Sequence, residues 1–440
     1  MDRRANIAII GSGISGLTAA HLLHRRHHVT LYEAGDYLGG HTATIDVELH
    51  GRHWAVDTGF IVFNDWTYPN FIALLQELEV PWQRSDMSFS LRCERTGLEY
   101  NGTSVNQLFA QRRNALRPSF LRMIHDILRF NREARTLLRD PSALLTLAQY
   151  LRHGGYSRAF TEHYLVPMGR AIWSVGEAAL LGFPARFFVE FFDRHGFLNV
   201  NDRPVWQAIR GGSREYVRRL VRPFRSHVRL RTPVAGVRRE ADRIIVRTRD
   251  GELASHDYVI FATHSDQTLA MLEEPSRNES ELLAAFPYQQ NEVVLHTDTR
   301  LLPRSPRARA AWNYHLLAQP QERVALTYNM NVLQRLTAPE VFLVTLNRSQ
   351  DIDPRRVLGQ YVYHHPVYTP EAVAAQRRWA EINGSHRSFF CGAYWGCGFH
   401  EDGVVSALRA VDALNRQAGL GPQQVLRAPA RACAGEAAGT

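Results

Sequence analysis

Three glycines and one acid carry the first chemistry legible in this chain. Gly11, Gly13 and Gly16 stand in a G-x-G-x-x-G spacing directly after the apolar run 7–10, and Glu33 closes a second apolar run, 29–32. A glycine at the first position allows a tight turn. At the second it lets a phosphate approach the backbone, and at the third it lets a helix lie close on the strand before it. The helix starting near Ser15 offers unpaired N–H groups and a positive dipole end to an anion. An acid at the end of the next strand is placed to accept hydrogen bonds from a ribose. The stretch 6–33 therefore predicts a dinucleotide, with its pyrophosphate at Gly11, Gly13 and the helix start near Ser15, Gly16 packing the helix on the strand, and a ribose at Glu33.

A second group lies near the other end, in the run FFCGAYWGCGFHEDG over 389–403. His400, followed by Glu401 and Asp402, could act as a general base or orient a substrate; it could equally line the start of a helix. Tyr394 and Trp395 could cover one face of a planar ring, or simply pack. His364 and His365 are adjacent, so on a strand they point to opposite faces and at most one looks into a site. No metal centre is expected: no third ligand follows at sensible spacing, and Cys391 and Cys397 lack the C-x-x-C pairing.

Composition narrows the chemistry. The chain has 440 residues, 45% hydrophobic and 22% charged, with a formal net charge of +9. Those are the proportions of a globular protein of two to three domains. All 52 basic residues are arginine, which excludes any mechanism built on a lysine amine. Four scattered cysteines, Cys93, Cys391, Cys397 and Cys433, fit a reducing cytoplasm, the expected location. There is neither a long uncharged apolar run nor a signal-peptide pattern before the first strand, so neither a transmembrane helix nor export by that route is expected.

The elements that must position these residues follow from periodicity. Hairpin strands are expected at 45–49 and 53–56, a helix at 68–78, and a small hairpin at 89–91 and 98–100. From 104 to 195 the pattern is mostly helical, with Pro141, Pro167 and Pro184 as punctuation. One amphipathic helix is marked by Phe120, Leu121, Ile124, Leu128 and Leu138 on its apolar side and Arg122, Arg129, Arg132, Arg135 and Arg139 on its polar side. The phenylalanine-rich run 183–192 reads as a packed interface. Strands return at 234–237, 244–248 and 258–262, then at 293–296, 324–328 and 342–346, and a final helix spans 403–415. Arginine-rich helices between 110 and 160 are either a solvated face or a surface for peripheral contact with an anionic membrane at the inner face. No nucleic-acid recognition module is present.

Five blocks now stand in order: GSGISG with Glu33 and 36–40, VDTGF at 56–60, Gly211-Gly212-Ser213, VIFAT at 259–263, and the run 389–403. With them the chain resembles the flavin amine oxidase and phytoene desaturase superfamily, within it a group of predicted NAD/FAD-binding oxidoreductases. The resemblance implies an α/β fold. A discontinuous, Rossmann-like FAD-binding domain (1–75, 205–265 and 376–417) would be joined to a mixed α+β substrate domain (76–204 and 266–375), with 418–440 a disordered tail. It implies non-covalent FAD, with Gly40 and His41 near the phosphates, Val234 reading the adenine by its backbone, and Gly59 and Phe60 beside the isoalloxazine. Asp402 and Gly403 would present N–H groups to the flavin N1–C2=O edge. His41 stands where the family usually has arginine, so more of the pyrophosphate charge falls to backbone N–H groups. The family's water-holding lysine has no counterpart here, and its aromatic cage is rearranged to Tyr394, Trp395, Phe399 and His400. The expected function is oxidation or desaturation of an apolar, lipid-like small molecule by hydride transfer to FAD. The alternatives are a polyamine or amino-acid oxidase, and a non-catalytic FAD-containing binding or escort protein.

Overall fold

The computed structural model describes residues 4–139, 144–319 and 321–420. Pro141, Cys433 and the expected tail from 421 onward lie outside the described residues. The chain opens with β1 (Asn6–Ile10), α1 (Ile14–Leu23) and β2 (His28–Tyr32). The strands pair in parallel, Ile7 opposite Val29, and the run 7–10 is buried throughout. That burial follows from a parallel sheet covered on both faces. Period-two alternation sends Ile7 and Ile9 to one core cluster, with α1, and Ala8 and Ile10 to another.

The elements that matter for the site come from far along the sequence. They are α2 (Pro69–Glu77), α3 (Pro118–Glu133), α4 (Ala185–Arg194), β3 (Tyr258–Phe261), β4 (Ser388–Phe390) and α5 (His400–Gln417). The parallel sheet runs Val228–Arg229, β2, β1, β3, β4, so after β2, after Arg229 and after β3 the chain leaves this sheet and returns to it. A seven-stranded sheet is built from the excursions, in the order Val357–Pro366, Tyr288–His296, Leu343–Leu346, Leu326–Asn329, Trp312–Leu316, Phe89–Cys93, Glu99–Asn101. A mixed α/β architecture is what the sequence predicts. The strand Trp82–Arg84 pairs with Trp206–Ile209, and the core cluster of α1 extends through Val80 and Trp82.

The expected hairpin at 89–101 forms, and Trp312–Leu316 pairs with it in parallel, which makes it the edge of the large sheet. Two local expectations need correction. The last helix starts at His400, not at 403. In α3 the buried face is Phe120, Met123, Asp126 and Phe130, while Leu121 and Leu128 are about half exposed, at 46% and 53%. Periodicity assigned those leucines to the core. Burial of Asp126, which accepts a hydrogen bond from the Ser157 backbone N–H at 3.0 Å, rotates the helix away from that reading.

Candidate cofactor site

The glycine turn is shaped for an anion. A Cβ on Gly16 would stand 1.9 Å from the Gly11 carbonyl oxygen, so only glycine lets α1 lie on β1 this closely. A Cβ on Gly13 would meet nothing within 4 Å, so the space in front of it is open. Gly13 is the N-cap of α1, and no side chain caps that terminus. Its first N–H groups are left for an outside acceptor. The second glycine turn closes the cradle: Gly39 bridges Gly13, its N–H donates to the Ser12 carbonyl at 3.0 Å, and Gly40 adopts φ +58°. Ser15 sits in the first turn of α1, beside Gly403.

Glu33 is held beside this cradle. Its carboxylate accepts from the Ser12 N–H at 3.0 Å, the Ser12 hydroxyl at 2.5 Å and the Gly35 N–H at 2.7 Å. The Thr232 N–H donates to the Glu33 carbonyl at 2.8 Å, which draws the start of the strand Val234–Arg239 alongside. Val234 thus stands near the acid, where the adenine end of a dinucleotide is expected.

His41 brings no charge to the cradle. Its ring lies 5.2 Å from Tyr363, 5.5 Å from His365 and 6.1 Å from His264, and its Nε2 is buried without a partner. Burial, then the neighbouring His264, pushes its pKa down to about 4. Of the adjacent pair on the edge strand, His365 is the one that meets His41. The next residues tie this loop to the ring position. The Phe60 N–H donates to the His41 carbonyl at 2.7 Å, and a Cβ on Gly59 would stand 2.2 Å from that same oxygen.

His400 stacks on Phe60 with ring centroids 3.5 Å apart and 12° between planes. Its Nε2 lies 3.0 Å from the Thr42 hydroxyl and 3.2 Å from that of Tyr216. Burial holds its pKa well below the usual imidazole range. A neutral ring hydrogen-bonded to two protein hydroxyls and stacked on Phe60 braces the Phe60 turn against α5. Tyr394 and Trp395 turn away into the core, 5.0 Å and 5.3 Å from Phe286. Their expected place over a ring face is taken up by packing.

Asp402 and Gly403 also differ from expectation. The Gly403 N–H is spent within its own helix, on the Phe399 carbonyl at 3.1 Å. The Asp402 carboxylate accepts the Phe399 N–H at 2.9 Å. What Gly403 does is let α5 cross α1: a Cβ there would stand 2.6 Å from Ile14. The helix therefore still brings its positive end to the site, but the N–H groups available for a ligand belong to the turn at 400–402.

Two carboxylates that sequence reasoning did not single out assemble the frame. Asp57 is fully buried and accepts from the Thr44 hydroxyl (2.6 Å), the Ser213 N–H (2.9 Å) and hydroxyl (2.8 Å), and Gln334 Nε2 (2.9 Å). It joins the hairpin at 44–57, the Gly211–Ser213 turn and the substrate half. Glu401 accepts from the Asn70 N–H (3.0 Å) and Nδ2 (2.6 Å) and the Phe71 N–H (2.9 Å), fastening α2 to α5. Removing Asp57 strands four buried donors. Asp57→Ala is expected to cost about 3–5 kcal/mol in a denaturant titration, with Asp57→Asn in between.

A wall of aromatic rings faces the N-terminus of α5. Phe399, its N-cap residue, stacks on Phe191 of α4 at 5.1 Å. Trp173 packs on Phe191 at 4.7 Å and donates its Nε1–H to the Cys397 carbonyl at 3.2 Å; Phe187 stacks on Tyr368 at 4.9 Å. The phenylalanine spacing of 183–192 signalled an interface, but not that Phe399 completes it.

The residues present fit a dinucleotide cofactor: an open cradle at Gly13, uncapped helix N–H groups, an acid after β2 hydrogen-bonded to the same turn, and a second helix terminus at 400–402. Fold and site together define a dinucleotide-binding α/β protein. Residues 14–310 match the model of the flavin-containing amine oxidoreductases, and the chain belongs to that family. It is an FAD-dependent oxidoreductase. No curated protein matches its sequence. Among solved structures it resembles cyclohexylamine oxidase from Brevibacterium oxydans IH-35A, at 15% identity over 94% of this chain and 99% of that one, with a TM-score of 0.70. It also resembles a CLA-producing fatty acid isomerase from P. acnes, at 14% identity over 94% and 98%, with a TM-score of 0.67. A putrescine oxidase solved with putrescine gives 14% identity over 94% and 99%, with a TM-score of 0.66. At these identities the likeness carries the fold alone.

Proposed function

We propose that the protein oxidises or desaturates an apolar, lipid-like substrate. The observation that carries this reading is the aromatic wall of Phe187, Phe191, Trp173, Tyr368 and Phe399, set against the N-terminus of α5. Bound FAD supplies a two-electron acceptor. The chain's own groups do the rest. Aromatic rings exclude water and bury an apolar chain, while the terminus at 400–402 favours negative charge beside it. His400 and Phe60 brace the turn between them. The fold is also that of a fatty acid isomerase, so an acyl chain lies within its range.

The test is anaerobic mixing of the FAD-loaded protein with acyl lipids and, separately, with a panel of mono- and polyamines, following bleaching of the visible flavin band. Reduction by an acyl lipid and not by the amines is the expected result. Reduction by amines alone would sink the reading in favour of an amine oxidase.

A further inference from the structure

We propose that the outer face of α3, with the turn before it, docks on an anionic lipid bilayer. Leu116, Leu121 and Leu128 are 86%, 46% and 53% exposed. Leu121 and Leu128 lie seven residues apart, two helical turns along one face. Pro118, His125 and Arg132 are exposed on the same stripe. The opposite face is already spent in the core through Phe120, Met123 and Phe130, so the helix needs no further partner to fold.

Charge selects the partner. Between 104 and 139 there are eight arginines and two acids, Asp126 and Glu133. Asp126 is buried and receives Arg122 at 3.3 Å and Arg129 at 3.4 Å. Arg112 and Arg113 bond only to the Phe109, Asn106 and Gly97 carbonyls and the Asn106 side chain, which leaves their charge uncompensated by those contacts. Leucines flanked by arginines match the boundary between headgroups and acyl chains, where the leucines enter and the arginines meet lipid phosphates. A nucleic acid or an acidic soluble protein would use the arginines but give the leucines nothing. Among the described residues no helix is long and apolar enough to cross a membrane, so the contact is interfacial.

Docking on this face is independent of what the flavin oxidises, and its test reads binding alone. The FAD-loaded protein is sedimented with vesicles of phosphatidylcholine, with and without about one-third phosphatidylglycerol, at low and high salt. Co-sedimentation with the anionic vesicles, weakened by salt, is expected. The variant carrying Leu116→Glu, Leu121→Glu and Leu128→Glu, with its melting temperature unchanged, is expected to partition roughly tenfold or more weakly. Failure of the wild type to bind anionic vesicles overturns the proposal. So does equal binding by the leucine variant, which would leave a purely electrostatic contact. Retention on heparin without vesicle binding overturns it in favour of a soluble polyanion.

Discussion

Gly16→Ala is expected to give protein that neither holds FAD nor keeps its stability, and Gly13→Ala protein that loses only the first. The two glycines are three residues apart and look alike in the motif, but their surroundings differ. At Gly16 an added methyl would stand 1.9 Å from the Gly11 carbonyl oxygen, and the atom in the way is backbone. Either α1 moves off β1 or the turn opens. Overpacking of this kind costs about 3 kcal/mol, and the displaced turn is the one that must meet the pyrophosphate. A loss of that size is roughly a hundredfold in an equilibrium constant. At Gly13 the methyl meets no atom, and φ −63° with ψ 177° suits alanine. The apoprotein of Gly13→Ala should melt like wild type, while the methyl fills the cradle. Flavin-to-protein ratio and melting temperature, measured on both variants, separate the two roles. Normal flavin content in Gly13→Ala would mean that the phosphates lie elsewhere.

The second large effect is acid lability of the apoprotein. Among the buried histidines are His195, His256, His296, His315 and His400. Burial pushes the first three down to about 4 and the other two well below the usual range. Their hydrogen bonds give the reason. His296 Nδ1 accepts the Asp298 N–H at 3.0 Å, which leaves its Nε2–H for the Thr345 hydroxyl at 2.7 Å and no place for a second proton. His195 Nδ1–H donates to the Phe191 carbonyl, and its Nε2 meets the Thr67 hydroxyl. Between pH 4 and 6.5 the unfolded chain protonates these rings and the folded one does not. Their stabilisation is therefore complete above 6.5 and lost as the pH falls toward 4.

Three carboxyls oppose this. Burial raises Asp57 and Asp402 to about 6 and Glu401 to about 7, so their contribution falls as pH rises through that range. The lowered histidines outnumber these carboxyls, and Asp57 and Glu401 each accept several hydrogen bonds that favour the charged form. A histidine held near 4 is worth on the order of 3 kcal/mol, a large part of a folding free energy of about 5–15 kcal/mol. The melting temperature should drop steeply between pH 7 and 5, and less steeply in His296→Gln. A flat profile would contradict this account.

Local sterics were legible without a structure. The spacing of Gly11, Gly13 and Gly16 with Glu33 specifies a strand, a turn, a helix and an acid because each step is dictated by backbone geometry over a few residues. The same holds for the alternation of β1 and for the phenylalanines of α4. Residues whose surroundings come from distant segments were not legible. Leu121 and Leu128 look outward because Asp126 is pulled inward by Ser157, 31 residues on. Tyr394 and Trp395 turn to the core because Phe286 is there to receive them. Gly403 serves contact with Ile14 and not a ligand, a distinction that exists only once α1 and α5 cross. Asp57 and Glu401 lie within motifs, but nothing local revealed their bracing role, since their partners are separated from them by as many as 331 residues. By itself, then, the sequence determined the strand–turn–helix unit at 6–33 and the α/β class. Which side chains face the site, which brace it and which face the solvent was decided by tertiary packing, because burial and hydrogen-bond competition are set by neighbours that the chain supplies only when folded.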